Sequence, residues 1–260
     1  MTSSKSSNTS VKQFWDGRAL NAELDKMQVT LPDINQRHLE IDMLLQYLPR
    51  GKRILDAGCG NGYSTAIFSQ YAEFVLGVDY SESMIKRANK EFGHIENIEF
   101  DVQDVLALDV PEQSFDVAIT QRCLINLSSW EDQVKAIENI AKSLKPEGVF
   151  FMQEGSYQGR EQLNQAREAM GLERMPPVLY NLDFDEDKLW PYIRQHFEIV
   201  EVRYFGIYDF VSRIIHPLLV MPEEPQYDAR INEIAKEAAL AFRGMDDFGR
   251  EFSAFLRRRI

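Results

Sequence analysis

The stretch Ile54-Leu55-Asp56-Ala57-Gly58-Cys59-Gly60-Asn61-Gly62 decides the fold of this 260-residue chain. An apolar approach leads into a carboxylate and then into three glycines at alternate positions. A helix-like stretch over 63–70 follows, and a second apolar run, 74–78, ends in Asp79. This order predicts a strand, a tight turn, a helix and a second strand. Glycine permits such a turn and lets a ligand approach the backbone closely.

The position of Asp79 predicts the kind of ligand. It stands 17 residues after Gly62, where a carboxylate at the end of a second strand can accept hydrogen bonds from both hydroxyls of a ribose. Dinucleotide folds usually carry G-x-G-x-x-G and face a pyrophosphate, whereas the spacing here is G-x-G-x-G. Asp56 precedes the first glycine by two residues and would repel a pyrophosphate but suit an ammonium group. A nicotinamide or flavin site, or a glycine turn with no ligand, stays open as an alternative.

The D-x-G-x-G-x-G pattern resembles that of class I S-adenosylmethionine-dependent methyltransferases. Four positions carry it, Asp56, Gly58, Gly60 and Gly62, together with the strand-end Asp79. The resemblance is specific over about 50–155 and topological elsewhere. It implies S-adenosyl-L-methionine as the cofactor, with Asp56 near its ammonium group and Asp79 on its ribose.

The composition of the chain argues against nucleic acid and membranes as binding partners. The net charge is −12 and the isoelectric point is about 4.9, which argues against a nucleic-acid surface. No apolar run approaches 18 residues and the N-terminus does not resemble a signal peptide, so we expect a cytoplasmic protein with no membrane contact. A small-molecule methyl acceptor is the expected partner, and the oligomeric state stays open.

The two cysteines, Cys59 and Cys123, give no disulfide framework. Each falls at a predicted strand end beside the glycine turn, and we expect both to be free thiols. No pair of histidines four residues apart and no C-x-x-C motif occurs, so no metal is expected.

Alternating patterns predict the fold class. Apolar strands at 53–56, 74–78, 98–100, 115–120 and 149–154 alternate with helical stretches, which predicts a parallel, doubly wound α/β sheet. Strands six and seven are expected at 197–205 and 250–257. The resemblance implies a mostly parallel seven-stranded sheet in which an antiparallel last strand lies between strands five and six.

The domain boundaries follow from this pattern. Residues 1–12 are polar, and we expect them to form a disordered tail. We expect 13–260 to form a single methyltransferase domain. Within it, 13–50 read as a helical lid. The segments 156–184 and 207–247 exceed a minimal methyltransferase, and we expect them to form a cap over the acceptor.

The resemblance implies further cofactor-binding residues at the carboxyl ends of the strands, where open α/β sheets bind ligands. Asp104 would meet the adenine amino group beside a backbone donor of Val105, and Tyr80 would border the ring. Gln121 would offer a carbonyl to the ammonium, and Arg18 would hold the methionine carboxylate. The N-terminal helix that carries Arg18 would close over the cofactor and bring Trp15 with it. Ordinary loop and core roles stay open for these residues.

Polar residues within apolar stretches are candidates for binding the methyl acceptor, because a buried polar side chain needs a hydrogen-bond partner. Arg122 and Asn126 follow strand four in an otherwise apolar stretch, although Arg122 could instead pair with a neighbouring carboxylate. The first insert offers further candidates for a hydroxylated or anionic acceptor: Asn164, Arg167, Tyr180 and Asn181.

Two residues are candidates for a general base. Glu154 ends strand five, and His216 in the second insert has a side chain whose pKa suits proton transfer near neutrality; either could be structural. We expect methyl transfer to a polar small molecule, by O-methylation of a natural-product or sugar-like intermediate. N-methylation of a small amine and a catalytically silent cofactor-binding or partner subunit are the alternatives.

Overall fold

The computed structural model describes residues 3–242, 244–245 and 247–259, with side chains from residue 11 onward. Its centre is a seven-stranded sheet in the order β3-β2-β1-β4-β5-β7-β6. The strands are β1 Arg53–Ala57, β2 Phe74–Asp79, β3 Ile98–Val102, β4 Phe115–Gln121, β5 Leu144–Gly155, β6 Phe197–Tyr204 and β7 Glu251–Arg258. Strands β1 to β5 pair in parallel, and β7 runs antiparallel to both β5 and β6. The predicted sheet, including the placement of its last strand, is confirmed.

Ten α-helices are assigned within the described residues. They are α1 Ser3–Leu20, α2 Ile34–Leu45, α3 Tyr63–Phe68, α4 Glu82–Phe92, α5 Trp130–Ser143, α6 Tyr157–Ala169, α7 Glu186–His196, α8 Gly206–Phe210, α9 His216–Val220 and α10 Arg230–Ala241. Side-chain oxygens cap several N-termini by accepting a backbone N–H; those of α2, α4, α5 and α7 are capped by Asp33, Ser81, Ser129 and Asp185. None of the helices among the described residues has the length and apolar character needed to cross a membrane.

Buried side chains cover both faces of the central strands. Leu55, Ala118 and Phe150 pack with α5 and α7 on one face, and Ile54, Val117 and Phe151 pack with α2 and α3 on the other. A parallel sheet whose strands are buried on both sides is rigid and presents its strand ends at a common edge. That edge carries the functional site.

The N-terminal region forms a lid, defined here as α1 and the loop 21–33. Val11 and Ala19 of α1 are buried, and Ala19 packs with Val29 and Met84, the last of which belongs to α4. The expectation of disorder over 1–12 differs from the structure from Ser3 onward, where α1 starts. Residues 1 and 2 lie outside the described residues.

The two inserts take different places. The first contains α6, and its Tyr180 packs against the lid. The second contains α8, α9 and α10 and packs behind α2, where Tyr208 and Ala235 contact Leu39 and Met43. The second insert therefore supports α2, and its described residues form no cap over the edge of the sheet.

Candidate active site

The glycine turn between β1 and α3 is closely packed on two sides. Gly58 and Gly60 have φ values of 80° and 55°, in the left-handed region that favours glycine. A Cβ on Gly58 would lie 2.4 Å from Sγ of Cys123, and a Cβ on Gly60 would lie 2.7 Å from Cγ2 of Thr30. Only glycine fits at these positions, and the turn is held between the loop after β4 and the lid.

Two carboxylates flank the turn. Asp79 accepts the backbone N–H of Gly60 at 3.0 Å and of Ser81 at 2.8 Å, and Asp56 accepts the hydroxyl of Thr65 at 2.6 Å. Burial raises the pKa of Asp56 to about 7 and that of Asp79 to about 6, because a buried charge lacks its water shell. Both side chains suit a ligand with hydroxyl or ammonium donors.

A cavity with about 1060 Å³ of empty space, part of it open to solvent, lies at the carboxyl ends of β1, β2 and β4. Ligand pockets typically hold about 300–1,000 Å³, so a nucleoside-bearing cofactor fits. Eleven of the residues predicted for the site line the cavity: Trp15, Asp56, Gly58, Gly60, Asp79, Tyr80, Asp104, Val105, Gln121, Arg122 and Asn126. The structure therefore brings together residues that are far apart in the sequence.

Two predicted cofactor residues stand outside the cavity lining. Gly62 caps the N-terminus of α3 with a left-handed backbone. Arg18 donates from Nε to the carbonyl of Val29 at 2.5 Å and from Nη2 to that of Gln28 at 2.6 Å. Its guanidinium therefore folds the lid loop back onto α1, and this is a correction of the expectation that it faces the methionine carboxylate.

Trp15 and Asn126 join the lid to the loop after β4. The indole N–H of Trp15 donates to Oδ1 of Asn126 at 2.7 Å, and Nδ2 of Asn126 donates to the carbonyl of Arg122 at 3.0 Å. Phe14 and Tyr180 make edge-to-face contacts with Trp15. Trp15 and Asn126 line the cavity, and the two other rings support Trp15 from outside the lining.

Arg122 combines an unusual backbone with a buried ion pair. Its φ of 50° is uncommon for a residue with a side chain, and such conformations persist where the surroundings enforce them. Its guanidinium pairs with Glu40 of α2, which raises its pKa against the effect of burial. The pairing with a neighbouring carboxylate that the sequence left open is therefore present, and Arg122 also lines the cavity.

Arg37 is the functional candidate that sequence reasoning missed. It lines the cavity, is 4% exposed, and donates to the Thr30 hydroxyl, while its Nε has no partner among the described residues. Burial and the neighbouring Arg122 lower its pKa to about 9. The sequence contains a sign of this burial. Arg37 has the helical spacing of the apolar residues Ile41, Leu44 and Leu48, which lie in the core, so it shares their buried side.

Glu154 occupies a different environment from the one expected. It is fully buried and accepts the backbone N–H groups of Cys123, Leu124 and Ile125 at 3.3, 3.1 and 3.2 Å. Burial raises its pKa to about 7 despite these hydrogen bonds. The carboxylate does not line the cavity; it holds the loop after β4, so the prediction of a base in contact with the acceptor is corrected.

His216 also lies away from the cavity. It is 3% exposed within the second insert, and its Nδ1 is 3.1 Å from Oδ1 of Asn232 on α10. The prediction that it supplies a general base is wrong for this geometry, because the second insert packs behind α2.

The polar candidates of the first insert, Asn164, Arg167, Tyr180 and Asn181, also stand outside the cavity lining. Asn164 exchanges hydrogen bonds with the backbone of Met175, and Arg167 donates to the carbonyls of Glu173 and Arg213. Tyr180 reaches the site indirectly by packing on Trp15. Asn181 has a buried Oδ1 without a partner among the described residues. Asn164 and Arg167 therefore bind the backbone of the inserts, and none of the four side chains lines the cavity in the way that the sequence led us to expect.

Comparison with known proteins places this geometry in a family. A family model described as a methyltransferase domain matches residues 48–191, more than half of the chain. The chain is 27% identical over 145 residues to phosphoethanolamine N-methyltransferase 1 of Caenorhabditis elegans, a match that covers 55% of this chain and 30% of the relative. It is 34% identical over 120 residues to a ubiquinone biosynthesis O-methyltransferase of Coxiella burnetii, which covers 44% of this chain and 50% of the relative. The chain therefore spans about a third to a half of these curated relatives.

The fold agrees with a solved methyltransferase structure. The N-methyltransferase NodS from Bradyrhizobium japonicum, solved with S-adenosyl-L-homocysteine, superposes with a TM-score of 0.59 at 15% identity and covers 96% of this chain and 98% of that one. The matched family region contains the glycine turn, Asp79 and the loop after β4, and the sheet order is the one predicted for this class. The chain therefore belongs to the methyltransferase domain family, and its sheet has the order predicted for the class I, S-adenosylmethionine-dependent members.

Proposed function

We propose that the protein transfers a methyl group from S-adenosylmethionine to a small polar acceptor that carries an anionic group. The observation that supports this proposal is one cavity that combines a ribose-type carboxylate, Asp79, with two guanidinium groups, those of Arg37 and Arg122. An amino-acid cofactor accounts for one guanidinium through its carboxylate. The second guanidinium remains for the acceptor.

The residues that line the cavity offer a partner for each polar group of S-adenosylmethionine. Asp79 would accept the ribose hydroxyls, and Asp104 would accept the adenine amino group beside Val105. At the other end, Asp56 would face the ammonium group. Arg37 would donate to the carboxylate, because its buried Nε has no partner among the described residues and a carboxylate would supply one.

Arg122 is the residue proposed for acceptor recognition. Glu40 occupies one nitrogen of its guanidinium, and the side chain still lines the cavity beside Asn126 and Trp15. A guanidinium presents five N–H donors in a fixed fork and binds carboxylate or phosphate groups in a bidentate manner. An acceptor with such a group would therefore be oriented by Arg122.

The lack of a histidine or an unassigned carboxylate among the described residues that line the cavity favours nitrogen as the methylated atom. Among the described residues that line the cavity there is no histidine, and its carboxylates, Asp56, Asp79 and Asp104, are assigned to the cofactor. When bound, S-adenosylmethionine supplies a methyl group on a positively charged sulfur, which a neutral amine can accept through its own lone pair. Chain residues then need only to align the acceptor and exclude water. The C. elegans relative is a phosphoethanolamine N-methyltransferase by name, which is consistent with an anionic amine.

An ionised oxygen is the second candidate. A phenolate also needs no general base, and the O-methyltransferase from Coxiella burnetii favours this alternative. O-methylation of a sugar-like hydroxyl, which the sequence led us to expect, is less well supported because such a hydroxyl requires a base.

Transfer of labelled methyl groups to matched acceptors tests the proposal. Phosphoethanolamine would be compared with ethanolamine, and 3,4-dihydroxybenzoate with catechol. We expect the anionic member of the productive pair to have a KM at least about tenfold lower, and Arg122→Gln to remove that difference. Arg50→Gln, an exposed arginine before β1, is the control.

Two results would count against this account. Equal KM values for an anionic acceptor and its neutral partner would contradict the role of Arg122. Tight binding of S-adenosylhomocysteine without transfer to any acceptor would support the alternative of a catalytically silent cofactor-binding subunit.

A further inference from the structure

Arg87 of α4 lies outside the cavity lining and reaches the lid. It follows Met84, which lines the cavity, by about one helical turn. Its guanidinium donates to three lid carbonyls: Ala19 at 3.2 Å, Asn21 at 3.0 Å and Leu24 at 2.6 Å. One side chain on the body of the protein therefore holds three consecutive parts of the lid.

The first of these carbonyls lies at the end of α1. The helix ends at Leu20, and the last carbonyls of a helix have no N–H donor within it, so that of Ala19 takes its donor from another element. A cation at this end also favours the helix dipole. Arg87 thus caps the C-terminus of α1 from α4, and the docked lid is stabilised together with its helix end.

Glu91 and Asn61 extend this arrangement to the glycine turn. Nε of Arg87 donates to Glu91 at 2.7 Å, and the two side chains are 13% and 20% exposed. Asn61, which stands between Gly60 and Gly62, donates to Glu91 at 3.3 Å and to the carbonyl of Lys26 at 2.9 Å. A fourth lid carbonyl is therefore bound by the cofactor turn itself.

The lid supplies one wall of the cavity. Val11, Trp15 and Thr30 line it, and Thr30 packs against Gly60 of the turn. Movement of this wall would widen the way out for a ligand that lies between the turn and the lid. The strength of the lid contacts then controls how fast the ligand leaves.

We propose that Arg87, with Glu91 and Asn61, is a latch that holds the lid closed and sets the residence time of the cofactor. Arg87 is a positioning residue, since it reaches the cavity only through the lid. The inference rests on the proposed cofactor site and adds to it a mechanism of exchange.

Dissociation of S-adenosylhomocysteine, followed by stopped-flow displacement, tests the latch. Arg87→Met keeps an unbranched stem and removes every donor, and Lys86→Met makes the same charge change at an exposed position of α4. We expect release at least about tenfold faster for Arg87→Met, because charge-assisted hydrogen bonds are lost, and an unchanged rate for Lys86→Met. Arg87→Lys should be intermediate, since one ammonium cannot reach three separate carbonyls.

Limited proteolysis gives a second readout that does not depend on the ligand. Lys26 is exposed in the lid loop, and trypsin should cut after it several-fold faster in Arg87→Met than in Lys86→Met. Release and cleavage at the wild-type rates would overturn the latch. If Arg87→Met fails to fold, Glu91→Gln replaces it, with a few-fold faster release expected and a wild-type rate overturning the proposal. A wild-type protein that does not bind S-adenosylhomocysteine would instead refute the proposed function, and cleavage after Lys26 would still test the latch.

Discussion

The carboxylates that end β2 and β5 look alike in the sequence but lie in different surroundings. Asp79 lines the cavity and fixes the glycine turn through the N–H of Gly60. Glu154 is turned into the protein and fixes the loop after β4 through three backbone N–H groups. Each holds a loop, but only Asp79 also faces the ligand space. A strand-end acid therefore becomes a ligand-binding residue only where the neighbouring loop leaves a cavity.

The largest expected effect is a loss of cofactor affinity when the glycine turn held by Asp79 is changed. In Gly60→Val the side chain would be forced into the left-handed region and against Thr30, so cofactor affinity should fall by more than about a hundredfold. Gly51→Val is a matched control, because Gly51 also has a positive φ of 64° but nothing lies within 4 Å of its added Cβ. Calorimetry with S-adenosylhomocysteine measures both. Equal losses in the two variants would mean that backbone strain alone, and not closure of the site, explains the result.

A smaller effect follows from the pKa of Asp79. Burial raises it to about 6, so the carboxylate gains a proton as the pH falls through that value and loses acceptor capacity. Affinity for S-adenosylhomocysteine should therefore be about tenfold weaker at pH 5 than at pH 7.5, and the raised pKa of Asp56 acts in the same direction. Calorimetry across this range checks the sign. Affinity that is constant or rises toward acid would show that ionised carboxylates do not bind the cofactor.

The parts predictable from sequence were those encoded by local patterns. The turn and Asp79 follow from contiguous motifs, and the structure brings both to one cavity. The placement of the last strand follows from the family resemblance that these motifs carry. Arg18 and Glu154 could not be assigned in the same way, because each acts through backbone groups that the fold brings to it. Whether a polar side chain faces a ligand or a loop carbonyl depends on packing that no short motif records.

The smallest expected effect on catalysis is that of changing Glu154, the carboxylate near the end of β5. Glu154→Gln keeps the shape of the side chain but exchanges an acceptor oxygen for a donor, so a loop N–H loses its partner at a cost of about 1–3 kcal/mol in the free energy of unfolding. We expect kcat to fall less than about tenfold, whereas loss of a general base would cost about 10²–10⁴-fold. Denaturant unfolding and steady-state kinetics measure the two quantities.

His216→Gln serves as the control for that variant, because it changes a buried side chain that lies behind α2. Its kcat should stay within about twofold of wild type, since His216 pairs with Asn232 and is not among the described residues that line the cavity. A fall in kcat of more than a hundredfold in Glu154→Gln, with stability unchanged, would restore Glu154 as a base.

The most direct test of the central claim is calorimetric titration of S-adenosylhomocysteine into the wild type, Asp79→Asn and Asp101→Asn. Asp101 is an exposed acid on the adjacent strand β3, so its variant carries the same charge change outside the cavity. We expect Asp79→Asn to weaken binding at least about tenfold, because charged hydrogen bonds to the ribose are lost, and Asp101→Asn to stay within about twofold of wild type. Wild-type affinity in Asp79→Asn would contradict the assignment of this edge of the sheet as the cofactor site.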